Sequence, residues 1–290
     1  MSAETSAQPD IRINYWSPEA GTPEDLYSFD RVADKVVGFD GVTDEVLERF
    51  YRDGFVAVEQ AFTAEEIETA VAGLIDCIIG RKKGFDLNLE ASVADWDKVQ
   101  RPDDRLRRVR KLNAFVDSEP RLKALCEHPR LIELLTRAMG EPPALYANQA
   151  LLKPPHIGSE KPWHQDMAYF NLPPETMVIG IWIALDAATA ENGCMHVIPG
   201  SHRDGPTVHF RVRDWQICDR DVATARDVMV PLQPGGLMMF HGLTHHGTPP
   251  NRSPQTRRAL QFHYYPSSVQ RITPEERLAI WGSEGKDAEC

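Results

Sequence analysis

Ten histidines stand in the 290-residue chain, and two of them open a His-x-Asp triplet: His164-Gln165-Asp166 and His202-Arg203-Asp204. On a β-strand, positions i and i+2 face the same side, so an imidazole and a carboxylate at this spacing can reach one metal ion. Spacing alone is weak, because ten histidines among this many aspartates produce about one such pair by chance. Context separates the two. His202 and Asp204 lie inside Pro199-Gly200-Ser201-His202-Arg203-Asp204-Gly205-Pro206, whose glycines and prolines predict a turn. His164 and Asp166 belong to the aromatic run Trp163–Phe170 after a proline-rich loop, which suits a strand entering a site. A third ligand must come from elsewhere, and Phe240–Asn251 carries His241, His245 and His246 directly after an apolar run. The bland reading of that stretch is a polar loop with satisfied imidazoles. Two imidazoles plus one carboxylate, however, form the facial triad of non-haem Fe(II) sites, which leaves three positions open for substrate and O₂. Beyond His246 comes Arg257, whose planar guanidinium suits bidentate capture of a carboxylate, although an arginine read without other context is more often an exposed surface residue.

Elements that could position these residues are legible on both sides. Thr43 caps a short helix with Val46, Leu47 and Phe50 on one face, ended by Gly54. Thr63 and Glu66 form a capping box, Phe62 and Ile67 a hydrophobic staple, and Ile67, Val71, Leu74, Ile75 and Ile78 repeat at helical spacing up to Gly80. Leu131, Leu134, Leu135 and Met139 predict a further helix stopped at Gly140. After 143 the character changes to short β-rich runs at 144–152, 178–185, 194–198, 228–232, 237–240 and 258–265, separated by Gly/Pro/Asn turns. Many short strands between such turns predict a barrel or double-sheet jelly roll, braced by the preceding helices on one sheet's outer face. Residues 1–40 read as an extended or poorly ordered arm and 41–290 as one domain.

Composition narrows the function classes. Apolar residues at 42% and charged residues at 26% allow a sizeable core, and the net charge of −11 argues against a nucleic-acid or anionic-membrane surface. No apolar run has the length of a membrane span, and no secretory signal pattern opens the chain. Five scattered cysteines without a Cys-x-x-Cys pair argue against a disulfide framework or a thiolate zinc site. The expectation is a soluble, cytoplasmic protein with a small-molecule partner.

The string Leu152-Lys153-Pro154-Pro155, the His164–Phe170 run, Glu191-Asn192-Gly193-Cys194-Met195 to Pro199-Gly200-Ser201-His202, His246-Gly247 to Asn251-Arg252-Ser253, and Arg257-Arg258-Ala259 together resemble the phytanoyl-CoA dioxygenase family. The likeness spans roughly 45–265, and the ordered motifs are specific. It implies a mainly β chain with flanking helices: a double-stranded β-helix (jelly roll, cupin-like) with N-terminal helices packed on one sheet. It also implies an Fe(II)- and 2-oxoglutarate-dependent dioxygenase using O₂, with His164, Asp166 and His246 as iron ligands and Arg257 on the distal carboxylate of 2-oxoglutarate. His246 is preferred to His245 because it directly precedes the Gly-x-x-x-Asn pattern, and strand neighbours point oppositely.

Further cosubstrate contacts carry over to Lys111, Gln149, Gln165, Trp182 and Thr248, the last keeping the hydroxyl of the family's small-hydroxyl position. Read without the resemblance, Gln149 and Trp182 fit core packing. Lys111 ends a basic stretch (Arg101, Arg105, Arg107, Arg108, Arg110) that fits a solvated face. The implied reaction releases succinate and CO₂ and hydroxylates an unactivated C–H. Related halogenases carry a small residue in place of the carboxylate, so Asp166 argues against halogen transfer. The implied substrate is a lipid-like, acyl-CoA or natural-product molecule. Trp163, Tyr169 and Phe170 offer an apolar wall, and the 101–111 stretch could receive the phosphates of a CoA thioester. Two other classes fit the same residues: a zinc hydrolase or isomerase on the same His/Asp/His set, and a non-catalytic jelly-roll module with incidental histidines.

Overall fold

The computed structural model describes residues 11–15, 21–23, 25–90, 96–99, 101–282 and 290, so the expected arm falls partly outside the described residues. In chain order the strands and α-helices are β1 (Ile11–Tyr15), β2 (Lys35–Val37), α1 (Asp44–Asp53), β3 (Phe55–Glu59), α2 (Ala64–Ile78), β4 (Phe85–Leu89), α3 (Pro102–Leu106), β5 (Val109–Asn113), α4 (Pro120–Cys126) and α5 (Pro129–Met139). There follow β6 (Pro143–Lys153), β7 (Lys161–His164), β8 (Ile179–Ala184), β9 (Met195–Val197), β10 (His209–Arg211), β11 (Trp215–Ile217), β12 (Val228–Val230), β13 (Leu237–His241), β14 (His246–Thr248), β15 (Arg257–Pro266) and α6 (Pro274–Trp281).

Helices start and stop where local chemistry says they should. Thr43 Oγ1 accepts from Val46 N at the start of α1, and Gly54 ends the helix in the left-handed region. Thr63 and Glu66 form both halves of the capping box on α2, and Gly140 closes α5. Among the described residues, nine strands form one sheet in the order β1-β4-β5-β6-β15-β8-β13-β3-β2, and four form a second in the order β12-β9-β14-β7. Pairing is antiparallel apart from β1 on β4 and β2 on β3. The two sheets face each other as a double-stranded β-helix.

Alternation along the central strands divides the core. One face of the larger sheet, with Val56, Leu87, Leu112, Ile181, Met239 and Phe262, packs under Phe50, Ile67, Leu74, Leu122 and Leu131 of the helices. The other face, with Trp182, Ala184, Met238, Phe240 and Ala259, meets Met195, Val197 and Val230 of the smaller sheet. The helices therefore brace the outside and leave the space between the sheets for chemistry. Three strands, β3, β4 and β5, lie in the stretch read as helical and extend the larger sheet on both sides.

Two expectations are corrected here. Cys218 and Cys290 are joined by a disulfide, although the cysteine spacing argued against one, and Cys77, Cys126 and Cys194 are buried and free. The basic stretch is not a uniformly solvated face. Arg105 lies over the Trp96 ring at 5.1 Å and donates to Val99 O, while Arg110 and Lys111 sit on β5 and line the space between the sheets. Among the described residues, no helix is long and apolar enough to cross a membrane.

Candidate metal centre

Two strands of the smaller sheet bring the far-apart histidines together. β7 ends on His164, β14 begins on His246, and the two are direct cross-strand partners. Their rings lie 4.2 Å apart, centroid to centroid. Asp166 does not continue β7, as an i, i+2 strand pair would require. It opens a 3-10 turn, Asp166–Tyr169, whose Met167 N donates to Gly242 O. The turn swings the carboxylate beneath both imidazoles. Asp166 Oδ1 is 3.3 Å from His164 Nε2, and Oδ2 is 3.5 Å from His246 Nε2. One ligand atom from each of the three residues lies within 4.8 Å of the others.

The ring orientations are fixed from behind. His164 Nδ1 donates to Pro162 O at 2.8 Å, and His246 Nδ1 donates to Thr244 O at 2.9 Å. With the proton spent on Nδ1, each Nε2 presents a lone pair to the centre, the tautomer a metal requires. Burial, with the neighbouring His164 ring second, pushes the His246 pKa down to about 3, and burial likewise lowers His164. Burial works against the charge on Asp166, but the His263 ring, whose Nε2 lies 2.7 Å from Oδ2, holds its pKa well below the usual carboxylate range. Two lone pairs and an anion converge with no proton between them and the imidazoles. A divalent cation resolves that repulsion, so the donor set fits one.

Thr244 is itself anchored through the end of α1. Its Oγ1 donates to Gly54 O, which also accepts from His241 N. Gly54 has φ +83, and a Cβ there would stand 2.6 Å from Thr244 Oγ1, so only glycine lets the helix end this close. Gly180 on β8 plays a similar part, since an added Cβ would meet the Phe240 ring at 2.4 Å, and that ring packs 4.7 Å from His246. Gly180→Ala is expected to cost about 1–3 kcal/mol by overpacking and to weaken metal binding together with stability. Thermal unfolding and a metal titration check this; an unchanged metal affinity would show that Phe240 does not support His246.

Arg257 occupies the other end of a cavity of about 250 Å³ lined also by Lys111, Gln149, Trp182 and Thr248. It is 2% exposed, its guanidinium lies over the Trp182 ring at 5.4 Å, and Nη1 donates to Leu151 O at 3.3 Å. Its Nε and the Trp182 Nε1 have no hydrogen-bond partner. Burial lowers its pKa to about 10, the mark of a cation held without adequate compensation. A buried guanidinium and unsatisfied donors fit an acceptor-rich anion such as a keto dicarboxylate. Lys111 faces the same cavity, and burial, with nearby Lys161, pushes its pKa down to about 8. The rim is polar: Lys161 donates to Asp214 at 2.7 Å and to Tyr169 Oη at 2.9 Å.

One carried-over contact does not reach the cavity. Gln165 is fully buried with its amide spent on Gly205 O, Leu243 O and Thr207 N, so it locks loops behind the site. Trp163 likewise points away, its indole donating to Leu26 O, whereas Tyr169 and Phe170 line the cavity. His245 contacts Thr207 Oγ1, and His202 reaches Tyr51 O, so neither joins the centre. Sequence reasoning missed Gln261 and His263 on β15, both of which donate to Asp166 Oδ2. Their signal was the two-residue period from Arg257, which puts 257, 261 and 263 on one face.

A double-stranded β-helix with two imidazoles and a carboxylate between its sheets, and a buried arginine beyond them, defines the class of iron- and 2-oxoglutarate-dependent oxygenases. Residues 50–259 match the family model for phytanoyl-CoA dioxygenase (PhyH), and the chain belongs to that family. A probable phytanoyl-CoA dioxygenase of Caenorhabditis elegans is 31% identical over 191 residues, covering 59% of this chain and 60% of the relative. The chain thus matches somewhat under two thirds of that relative's length. Among solved structures, EvdO2 from Micromonospora carbonacea var. aurantiaca superposes with a TM-score of 0.62 at 26% identity, covering 83% of this chain and 97% of that one. The epimerase SnoN from nogalamycin biosynthesis, in complex with Fe³⁺, alpha ketoglutarate and nogalamycin RO, shares the fold with a TM-score of 0.60 at 19% identity, covering 79% and 86%.

Proposed function

We propose that this protein hydroxylates an unactivated C–H of a small-molecule substrate, consuming 2-oxoglutarate and O₂ and releasing succinate and CO₂. His164, Asp166 and His246 would hold Fe(II), and Arg257 the distal carboxylate of 2-oxoglutarate. The observation that carries the reading is the convergence of the three ligand atoms with both Nδ1 protons committed to backbone carbonyls. Iron supplies the O₂ and redox chemistry when bound. The chain's own residues do the rest. The Pro162 and Thr244 carbonyls orient the ligands, and the Trp182 face and Arg257 seat the anion. Phe170, Met195 and Leu151 give the cavity its apolar wall. Asp166 retains its carboxylate, which favours hydroxyl over halogen transfer. A zinc hydrolase on the same ligands leaves the buried Arg257 without a task.

The test is anaerobic. Candidate substrates are screened for perturbation of the Fe(II)·2-oxoglutarate charge-transfer band, and hits are then given O₂. Succinate formed one-to-one with hydroxylated product supports the reading. Metal-dependent turnover without O₂ or 2-oxoglutarate would refute it.

A further inference from the structure

The environment of Asp166 holds more than a metal site needs at minimum. His263 and Gln261, two positions apart on β15, both aim at one oxygen of that carboxylate. His263 Nε2 lies 2.7 Å from Asp166 Oδ2, and Gln261 Nε2 lies 3.1 Å from the same atom. The two nitrogens are 2.9 Å from each other, so both reach Oδ2 from the same side. Because an ionised carboxylate only accepts, His263 must carry its proton on Nε2 and donate it. The ring is 1% exposed and wedged edge-on against Phe170 at 4.8 Å, with Phe240 at 6.5 Å, so it has little freedom to turn away. Its Nδ1 finds no partner. A buried imidazole that leaves one nitrogen unsatisfied in order to donate from the other is unusual as core filler, since an apolar side chain of that size would leave no polar atom unpaired.

From this we propose that His263 and Gln261 are positioning residues that hold Asp166 to a single metal-facing oxygen. Both contacts fall on Oδ2, and neither falls on Oδ1. Oδ1, which carries neither bond and lies 3.3 Å from His164 Nε2, is the oxygen freer to take a cation. A carboxylate attached through one oxygen occupies one coordination position rather than two, which keeps three positions open beside the two imidazoles. The pair also orients the plane of a side chain that sits on a 3-10 turn, outside the register of either sheet. This inference rests on the reading of His164, Asp166 and His246 as the metal ligands, so its test separates the two.

Metal-free protein is titrated with Co(II), following both affinity and the visible absorption bands. Wild type should bind one equivalent and His164→Ala none; failure of either result overturns the site and the inference with it. With those results in hand, His263→Phe keeps a ring in the wedge and removes the donor. Loss of such supporting hydrogen bonds costs roughly 10- to 100-fold in metal affinity, and that loss is the result expected, with shifted bands as Oδ2 becomes free to coordinate. His263→Gln, which returns an amide donor, should recover most of the affinity, while the metal-free unfolding midpoints of the two variants stay together. Wild-type affinity and spectrum in His263→Phe overturns the inference, as does equal loss in the Phe and Gln variants. If the Phe variant does not fold, Gln261→Leu removes the other donor. A weaker, spectrally altered site then supports the assignment, and an unchanged one refutes it.

Discussion

His164→Ala is expected to abolish stoichiometric Fe(II) binding and every trace of 2-oxoglutarate turnover, while the protein stays folded. The ring contributes one of three ligand atoms, so its removal weakens the metal by more than the roughly 10- to 100-fold that follows loss of a supporting hydrogen bond. Folding should survive because the face it leaves is the one that opens on the cavity. The substitution gives up one hydrogen bond, to Pro162 O, which is worth about 1 kcal/mol. Equilibrium dialysis against Fe(II), circular dichroism and succinate release check the three parts together. A variant that still binds one equivalent of iron would show that the His164–His246 pair is not the metal centre.

Arg257→Ala is expected to leave iron bound and to raise the 2-oxoglutarate requirement steeply. Removing one partner of a buried ion pair costs about 3–5 kcal/mol, which corresponds to roughly 10²- to 10⁴-fold in affinity. Arg257→Lys should recover little, because an ammonium lacks the planar fork and its stacking on the Trp182 face. The metal-free protein should not lose stability, since the guanidinium is buried with an unsatisfied Nε before any anion arrives. A 2-oxoglutarate titration of the iron-loaded variant, set beside thermal unfolding without iron, reads both effects. Unchanged cosubstrate affinity would remove Arg257 from the site.

What could be read in the chain beforehand depended on how local the cause was. Thr63 and Glu66 meet within one helical turn, so the start of α2 was visible from four residues. The runs after 143 announced their strands because Gly/Pro turns separate them. β5 was hidden for a physical reason. Its pairing with β4 shifts register between Asn88 and Leu89, so Val109 and Leu112, three apart, both reach the helix-covered core. A bulge of this kind breaks the two-residue period and imitates helical spacing. The same distortion turns Lys111 into the cavity, which is why a cavity residue looked like the end of a solvated basic run.

At the centre, residue types and order were legible but the local geometry was not. His164 and Asp166 were paired by strand logic, whereas the chain joins them through a turn whose position depends on Gly242, some eighty residues away. Gln165 matched a motif and still points backwards, because Gly205, Leu243 and Thr207 compete for its amide. Gln261 and His263 fell in a strand whose apolar neighbours suggested only core. Nothing in the local pattern distinguishes a buried histidine that packs from one that donates to a carboxylate.

Leu26 and Tyr27, well before the first residue shared with the family, lie against Trp163, the immediate neighbour of His164. Leu26 O takes the indole proton of Trp163, the Tyr27 ring stacks on that indole, and Tyr27 Oη donates to Glu160. The back wall of the candidate site thus includes residues that lie before the stretch matched by the family model. A change at Leu26 or Tyr27 would therefore reach the first imidazole through the Trp163 ring without touching a single ligand.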